Sequence, residues 1–325
     1  MNTNWKQDPR LKGMDPQKLE LLTTFAKEVE SAPKDQLMST ILTLNPVSYT
    51  HLVHSNASDG TLSPAAVVAL AAEKGLAAIA LTDHDTIAGI PQAIDAARGL
   101  PIEIIPGIEL SCHYEGEEIH VLGLYVNPED PAFLRETDRL LILREKRNDE
   151  MIRRFSEDGM VMTREELTAG NPDTVITRAH FARVMMEKGY VSSMDQAFKK
   201  YLKYGGRWCP KKETIEPSRA LSILTGCGAS PVLAHPYQYH LGDAKLEELI
   251  VSLKENGLAG LEVYHSSNNQ YESGKLKNLA VKYGLFPTGG SDFHGANKPD
   301  IAIGCGRGSL RISALLLDDI KKRCV

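Results

Sequence analysis

The sequence predicts an α/β fold, a parallel βα barrel or sheet interrupted by a helical insertion, and three observations carry that reading. Helix and strand patterns alternate from Leu62 to Tyr125. Strand signals vanish between Pro131 and about Gly228, where amphipathic helical periodicity takes over. Alternation resumes from Pro231 to Thr288, so one βα body is interrupted rather than followed by a second.

Taken in order, Leu19, Leu22, Phe25, Val29, Leu37 and Ile41 recur at helical spacing across Asp15 to Leu44, with Pro33 between them, which predicts a small helical hairpin. A short strand then leads to His54. Pro64 to Lys74 follows as helix, the apolar run Ala77 to Thr82 as strand, Ile87 to Ala97 as helix, and Ile102 to Ser111 and Glu118 to Val126 as two strands. Within the insertion, amphipathic spacing predicts helices over Phe133 to Ser156, Arg178 to Lys188, Met194 to Tyr204 and Pro217 to Thr225. The body continues with strands at Pro231 to Ala234, Gly260 to Tyr264 and Phe286 to Thr288, separated by helices at Lys245 to Glu255 and Gln270 to Tyr283. The expected segments are 1–46, a helical segment, 47–128, the first part of the barrel, 129–229, the insertion as a substrate cap, and 230–322, its second part.

A chain of 325 residues with 42% hydrophobic and 24% charged content buries a full core. Met1 to Lys18 is polar and lacks an apolar leader core, and no stretch is apolar for the roughly 18 residues of a membrane span, so no membrane partner is expected. Five scattered cysteines without CxxC spacing favour neither a disulfide framework nor a thiolate zinc site, which suits a reducing cytoplasm. A net charge of −5 argues against stable binding of duplex DNA. Between Pro131 and Ala220, however, Lys and Arg outnumber Asp and Glu by 18 to 14, leaving −9 on the rest. That basic segment is either a solvated helical surface or a cap that draws an anionic substrate toward a carboxylate-rich centre.

The polar residues at strand ends carry the chemistry, because catalytic groups of βα barrels sit on loops leaving the C-terminal ends of strands. His54 to Gly60 (HSNASDG) follows the first strand and Thr82 to Thr86 (TDHDT) the second. Pro106 to Glu109 (PGIE) comes next, and the following strand carries His120. Ala234-His235-Pro236, Glu262 to His265 (EVYH) and Gly290 to Gly295 (GSDFHG) lie late in the chain. Imidazoles and carboxylates without thiolates suit Mn, Zn or Fe rather than a structural zinc knot.

The order HSxASDG, TDHDT, PGxE, HxLG, AHP and GSDxHG resembles the polymerase and histidinol phosphatase (PHP) family, in particular its bacterial branch acting on nucleotides or RNA 5′ ends, over roughly His54 to Leu310. The resemblance implies a distorted seven-stranded β/α barrel with a helical insertion, and a hydrolase using two or three divalent metal ions. His54, Glu109 and Asp292 would hold one metal, and Glu109, His120 and His235 its neighbour. Asp59, His84 and His294 would form a third site or bind phosphate. It also implies roles in the insertion: Arg178 and His180 match an Arg-x-His element, and Lys211, with Arg207 nearby, a Pro-basic element, which would face the neighbours of the scissile phosphate and bind the substrate. Asp83 or Asp85 would orient His84, and His265 or His180 would protonate the leaving oxygen. The implied reaction is hydrolysis of a phosphate ester by metal-activated water without a covalent intermediate. The partner is a phosphorylated small molecule, nucleotide or short RNA.

The sequence departs from the family at its first motif. Where the family has Asp-Leu-His-x-His, this chain reads Thr50-His51-Leu52-Val53-His54, so Leu52 stands at the first ligand position. His51 points away from His54 unless a bulge intervenes. Val47 to Leu52 matches a translated transposon-end sequencing adapter (GTC-TCT-TAT-ACA-CAT-CT), and the terminal Arg323-Cys324-Val325 matches that adapter's complementary strand. The expectation is a chimera in which the first 46 or so residues are foreign and the first barrel strand is altered; sequencing an independent clone across codons 44 to 55 tests it. Two other readings stand beside the nucleotide-directed one: a histidinol-phosphatase-like enzyme, and a catalytically impaired metal-binding domain.

Overall fold

The structure is a computed structural model that describes residues 48–211 and 215–321. The hairpin expected over Asp15 to Leu44 and the C-terminal Arg323-Cys324-Val325 lie outside the described residues. Seven strands close into a barrel in sequence order: β1 (Ser48–Val53), β2 (Leu76–Leu81), β3 (Glu103–Tyr114), β4 (Glu117–Leu124), β5 (Ser230–Leu233), β6 (Gly260–His265) and β7 (Phe286–Phe293). Neighbours are parallel except at β4, which runs antiparallel to both β3 and β5. Only two residues join β3 to β4, too few for a crossover, so the chain turns back as a hairpin.

Helices α1 (Pro64–Glu73) and α2 (Ile90–Ala96) cover the first strands. Ser63 caps α1 by accepting the Ala66 N–H at 3.2 Å, with Pro64 in the first turn, where its missing N–H costs nothing. Val67, Val68 and Ala71 of α1 bury against Ile79 and Leu81 on the outer face of β2. Alternate residues point inward, and Leu52, Ala78, Ala80, Ile105, Leu122, Val232 and Phe286 fill the barrel interior.

The segment between β4 and β5 is helical, with α3 (Pro131–Glu157), α4 (Arg164–Thr168), α5 (Arg178–Glu187), α6 (Met194–Lys200) and α7 (Pro217–Gly226). Phe155, Phe181, Met185 and Leu202 form an apolar cluster belonging to this segment, whereas Leu221 and Leu224 of α7 join Ile108 and Val121 of the barrel. The second half adds α8 (Asp243–Glu255), α9 (Gln270–Tyr283) and α10 (Leu315–Lys321). No helix among the described residues is long and apolar enough to cross a membrane.

Two strands run further than expected. β3 continues past Ser111 to Tyr114 because β4 pairs with it along its whole outer half. β7 continues past Thr288 because Gly289 and Gly290, which read as turn residues, are strand residues at close contacts. A Cβ on Gly290 would lie 2.2 Å from the His51 carbonyl oxygen. We expect Gly290→Ala to cost about 3 kcal/mol through this overpacking, read as a lower urea midpoint with an unchanged slope.

Candidate metal centre

The candidate ligands sit where the backbone brings them together inside the barrel mouth. His54 leaves β1, and the following loop carries Asp59. Asp83 fixes that loop by accepting from the Ser55 N–H (2.8 Å), the Ser55 hydroxyl (2.7 Å) and the Ser58 hydroxyl (2.6 Å). His84 follows β2 in an extended stretch bridged to Glu109. In the β3–β4 hairpin Ser111 faces His120 and Glu109 faces Leu122, so Glu109 and His120 share one face. Glu109 and His120 lie within the strands expected for them, whereas Asp292, expected on a turn, lies within β7, which runs on past Thr288 to Phe293.

Glu109 is the hub. One oxygen lies 2.6 Å from His120 Nδ1 and 3.0 Å from His235 Nε2; the other lies 3.1 Å from His54 Nε2 and 3.4 Å from His84 Nδ1. His120 Nδ1 and His235 Nε2 approach each other to 3.2 Å. Asp292 closes one side, 3.8 Å from His54, and Asp59 the other, 3.3 Å from His294 Nε2 and 3.7 Å from His84 Nε2. His54, Asp59, His84 and His294 offer atoms within 4.8 Å of one another, as do His84, Glu109 and His120. His235 at φ 23° and Asp292 at φ 59° hold sparsely populated backbone conformations, a strain commonly located at functional sites.

These groups are buried, and burial alone would neutralise them. For Glu109, Asp59 and Asp292 burial pushes upward, yet the surrounding imidazoles, and Lys298 beside Asp292, hold all three carboxyls well below the usual range. For His120 burial pushes downward, but Glu109 and Glu118 lift it to about 10. Glu109, Asp59 and Asp292 likewise raise His54 against its burial. Burial wins at His84, which falls to about 3.

Both nitrogens of His54, Oδ1 of Asp59 and Nδ1 of His84 are buried without hydrogen-bond partners. Buried ring nitrogens and a carboxylate oxygen without partners, on residues that each offer one ligand atom within 4.8 Å of the others, make a plausible donor set for a cation, and all-N/O chemistry fits a divalent first-row metal. Cation binding must displace the proton that Glu109 keeps on His120. We therefore expect metal affinity to rise with pH, with about one to two protons released near neutrality, measured by calorimetry in buffers of different ionisation enthalpy. The chelated protein should lose stability as pH rises from 6.5 toward about 10, because unfolded His120 is deprotonated there while the folded residue is not. The metal-loaded protein should not show this loss.

The remaining expected residues divide. Arg178 lines the cleft and donates to Glu118 at 3.1 Å. Asp83 and Asp85 do not orient His84: Asp83 clamps the first loop, and Asp85 accepts the Ser111 N–H at 2.9 Å and the guanidinium of Arg144. His265 lies 3.5 Å from Asp292, with its raised pKa set by Glu262 and Asp292 against burial. His180 accepts the Thr177 N–H at 2.9 Å as part of a helix cap and faces a separate recess of about 280 Å³. Arg207 and Lys211 do not line the cleft. Arg207 pairs with Asp158 at 2.6 Å and lies over Trp208, and Lys211 is exposed. Nor does His51 point away: the strand is irregular between Thr50 and Val53, Leu52 takes φ 57°, and His51 Nε2 meets Thr288 Oγ1 at 2.6 Å inside the barrel.

Sequence reasoning missed Arg144, Arg147, Lys298 and Arg307, which line the 670 Å³ cleft beside the ligand cluster. A signal existed for two of them. Leu140, Arg144, Arg147, Met151 and Phe155 share the buried stripe of α3, and a cation in an apolar stripe is not a solvated surface.

A closed α/β barrel whose buried interior gathers imidazoles and carboxylates beneath a cationic cleft defines the class as metal-dependent phosphoesterases, hydrolases acting on phosphate esters. Residues 51–208 match the PHP domain. The chain is 36% identical over 241 residues to a 5′-3′ exoribonuclease of Haemophilus influenzae, covering 74% of this chain and 88% of the relative. It is 32% identical over 243 residues to a 3′,5′-nucleoside bisphosphate phosphatase of Chromobacterium violaceum, covering 74% and 85%. A solved amidohydrolase structure from Chromobacterium violaceum, with bound sulfate and no metal, superposes with a TM-score of 0.73 at 30% identity over 79% of this chain and 90% of that one. The chain belongs to the PHP family.

Proposed function

We propose that the chain hydrolyses phosphate esters of nucleotides or of short RNA 5′ ends, with two or three divalent ions, Mn, Zn or Fe, held by His54, Asp59, His84, Glu109, His120, His235, Asp292 and His294. The observation that carries this is Glu109, one buried carboxylate facing four imidazoles between 2.6 and 3.4 Å, the arrangement of a ligand shared by neighbouring ions. Bound ions supply an activated water and neutralise charge on the phosphoryl group. Arg178 and Lys298 add cationic charge at the cleft wall, attracting phosphate and holding it at the mouth. His265 keeps a proton beside Asp292 and is the candidate donor to the leaving oxygen. His180, occupied as a helix cap, leaves that role to it.

The names of the relatives favour nucleotides over histidinol phosphate. Four described cysteines are free thiols, in keeping with a reducing compartment such as the cytoplasm. Leu52 favours a second reading, an impaired centre, since an apolar side chain fills the inward slot below His54. The deciding experiment reconstitutes the protein with Mn, Zn or Fe and compares adenosine 3′,5′-bisphosphate, a 5′-phosphorylated oligoribonucleotide, histidinol phosphate and an aryl phosphate. Preference for the nucleotides supports the proposal. Preference for histidinol phosphate, or no turnover with any metal, overturns it.

A further inference from the structure

An imidazole that binds a metal is almost always oriented through its other ring nitrogen, by a carboxylate, carbonyl or water that accepts the N–H. His235 has no such partner among the described residues: Nε2 faces Glu109 at 3.0 Å, and Nδ1 is buried without a hydrogen bond. The rings of Tyr239 and His265 stand edge-on to it at centroid distances of 5.5 and 5.9 Å, which confines the imidazole sideways without bonding Nδ1. Its backbone is equally unusual. The Ala234 N–H donates to the His120 carbonyl at 3.1 Å, and His235 then turns to φ 23° and ψ 57° at the head of a short 3-10 helix. The His235 N–H donates not to a backbone carbonyl but to Glu262 Oε2, at 2.6 Å. Glu262 lies on β6, one residue past Leu261, which pairs with Leu233 of β5. It is fully buried, and that N–H is its single hydrogen-bond donor among the described residues. Its free Oε1 stands 2.9 Å from where a Cβ on Gly290 would lie, so the neighbouring strand gives up a side chain to make room for it. A buried carboxylate is costly to a fold, which points to a task beyond filling space.

We propose that Glu262 is a positioning residue of the metal centre: by holding the His235 N–H it fixes the strained turn after β5 and so aims the His235 ring at Glu109 before an ion arrives. This rests on the reading of the cluster as a metal centre. A residue in a sparsely populated conformation keeps it only where the surroundings over-determine it, and the bond from Glu262 supplies that constraint. Without the bond, His235 relaxes toward an ordinary φ and its ring turns away from Glu109. What the turn needs is an acceptor oxygen rather than a charge. The Thr288 hydroxyl donates to the Leu261 carbonyl at 3.4 Å and so accepts from His51 Nε2 at 2.6 Å. That leaves His51 Nδ1, 3.5 Å from Glu262 Oε1, as an acceptor without a partner. A glutamine at 262 therefore fits, its carbonyl taking the His235 N–H and its amide N–H facing His51 Nδ1. A leucine of similar bulk offers no acceptor and leaves the turn unheld.

The test titrates Mn(II) and Zn(II) into chelator-treated wild type, Glu262→Gln and Glu262→Leu, reading affinity and ions per chain, with urea midpoints of the chelated proteins alongside. We expect Glu262→Leu to bind the ion that His235 holds roughly 10–100-fold more weakly, the usual cost of losing a group that orients a ligand, and Glu262→Gln to restore the wild-type affinity. Wild-type affinity in Glu262→Leu, even with a lower urea midpoint, means that Glu262 only supports the core and overturns the proposal. Binding by Glu262→Gln as weak as that of Glu262→Leu overturns it too, since the acceptor oxygen is then not what matters. Should Glu262→Leu fail to fold, hydrogen exchange of the His235 amide in the wild type decides. Equal protection with and without metal supports a turn set in advance, and protection that appears only with metal overturns it. A wild type that binds neither metal would sink the metal-centre reading instead, while the exchange of that amide in the metal-free protein still judges whether Glu262 holds the turn.

Discussion

Glu109→Gln is expected to abolish turnover, with kcat falling at least roughly 1,000-fold, and to strip most of the bound metal. The cause is the position of one carboxylate. Glu109 is 1% exposed and faces His54, His84, His120 and His235, so the neutral amide removes the one negative charge all four share. An amide also presents a donor to one imidazole that needs an acceptor or an ion. Without the carboxylate, His120 loses the larger of its two upward influences and keeps only that of Glu118 against burial, so it falls below about 10 and proton release on any residual metal binding should shrink with activity. Elemental analysis, calorimetric proton counting and kcat together check this. Full metal content with full activity would remove Glu109 from the centre.

The second large effect is expected from repair of β1. Leu52→His combined with Thr50→Asp should raise metal occupancy by about one ion per chain and raise kcat with it. Leu52 and His54 share the inward face of the strand, so an imidazole at 52 lies one pleat below His54. Thr50 now exchanges hydrogen bonds with Ser291, accepting its N–H at 2.8 Å, and an aspartate retains that acceptor. The present strand accommodates its sequence at a cost. Leu52 sits at φ 57°, a left-handed conformation worth about 1–2 kcal/mol of strain for a residue with a Cβ. The bulge brings both His51 and Leu52 inward. Unchanged metal content by elemental analysis would mean that the site is complete without the residue at 52.

The candidate side chains that the structure brings together were legible where the signal is local. HSNASDG, TDHDT, PGIE, AHP and GSDFHG each announce a polar group at the end of an apolar run, and the eight ligand candidates drawn from them and from His120 occur in one cluster. The sequence reading failed where a side chain's role depends on what packs against it. Asp85 reads as an orienter of His84, yet it grips Arg144 from a helix 59 residues away in sequence. His180 reads as a phosphate or proton group, yet the backbone of Thr177 claims its Nδ1. Arg207 and Lys211 read as anion clamps, while Arg144 and Arg147, hidden in a helix that looks like charged surface, line the cleft instead.

The sequence by itself determined the βα alternation, the helical interruption and which imidazoles and carboxylates stand at or near the strand ends, because hydrophobic period and residue type are properties of short segments. The tertiary structure alone decided which cations keep a counter-charge, that β4 reverses direction, and that β1 bulges at Leu52. Those outcomes depend on closing seven strands into one ring, where the register of each strand is set by its neighbours.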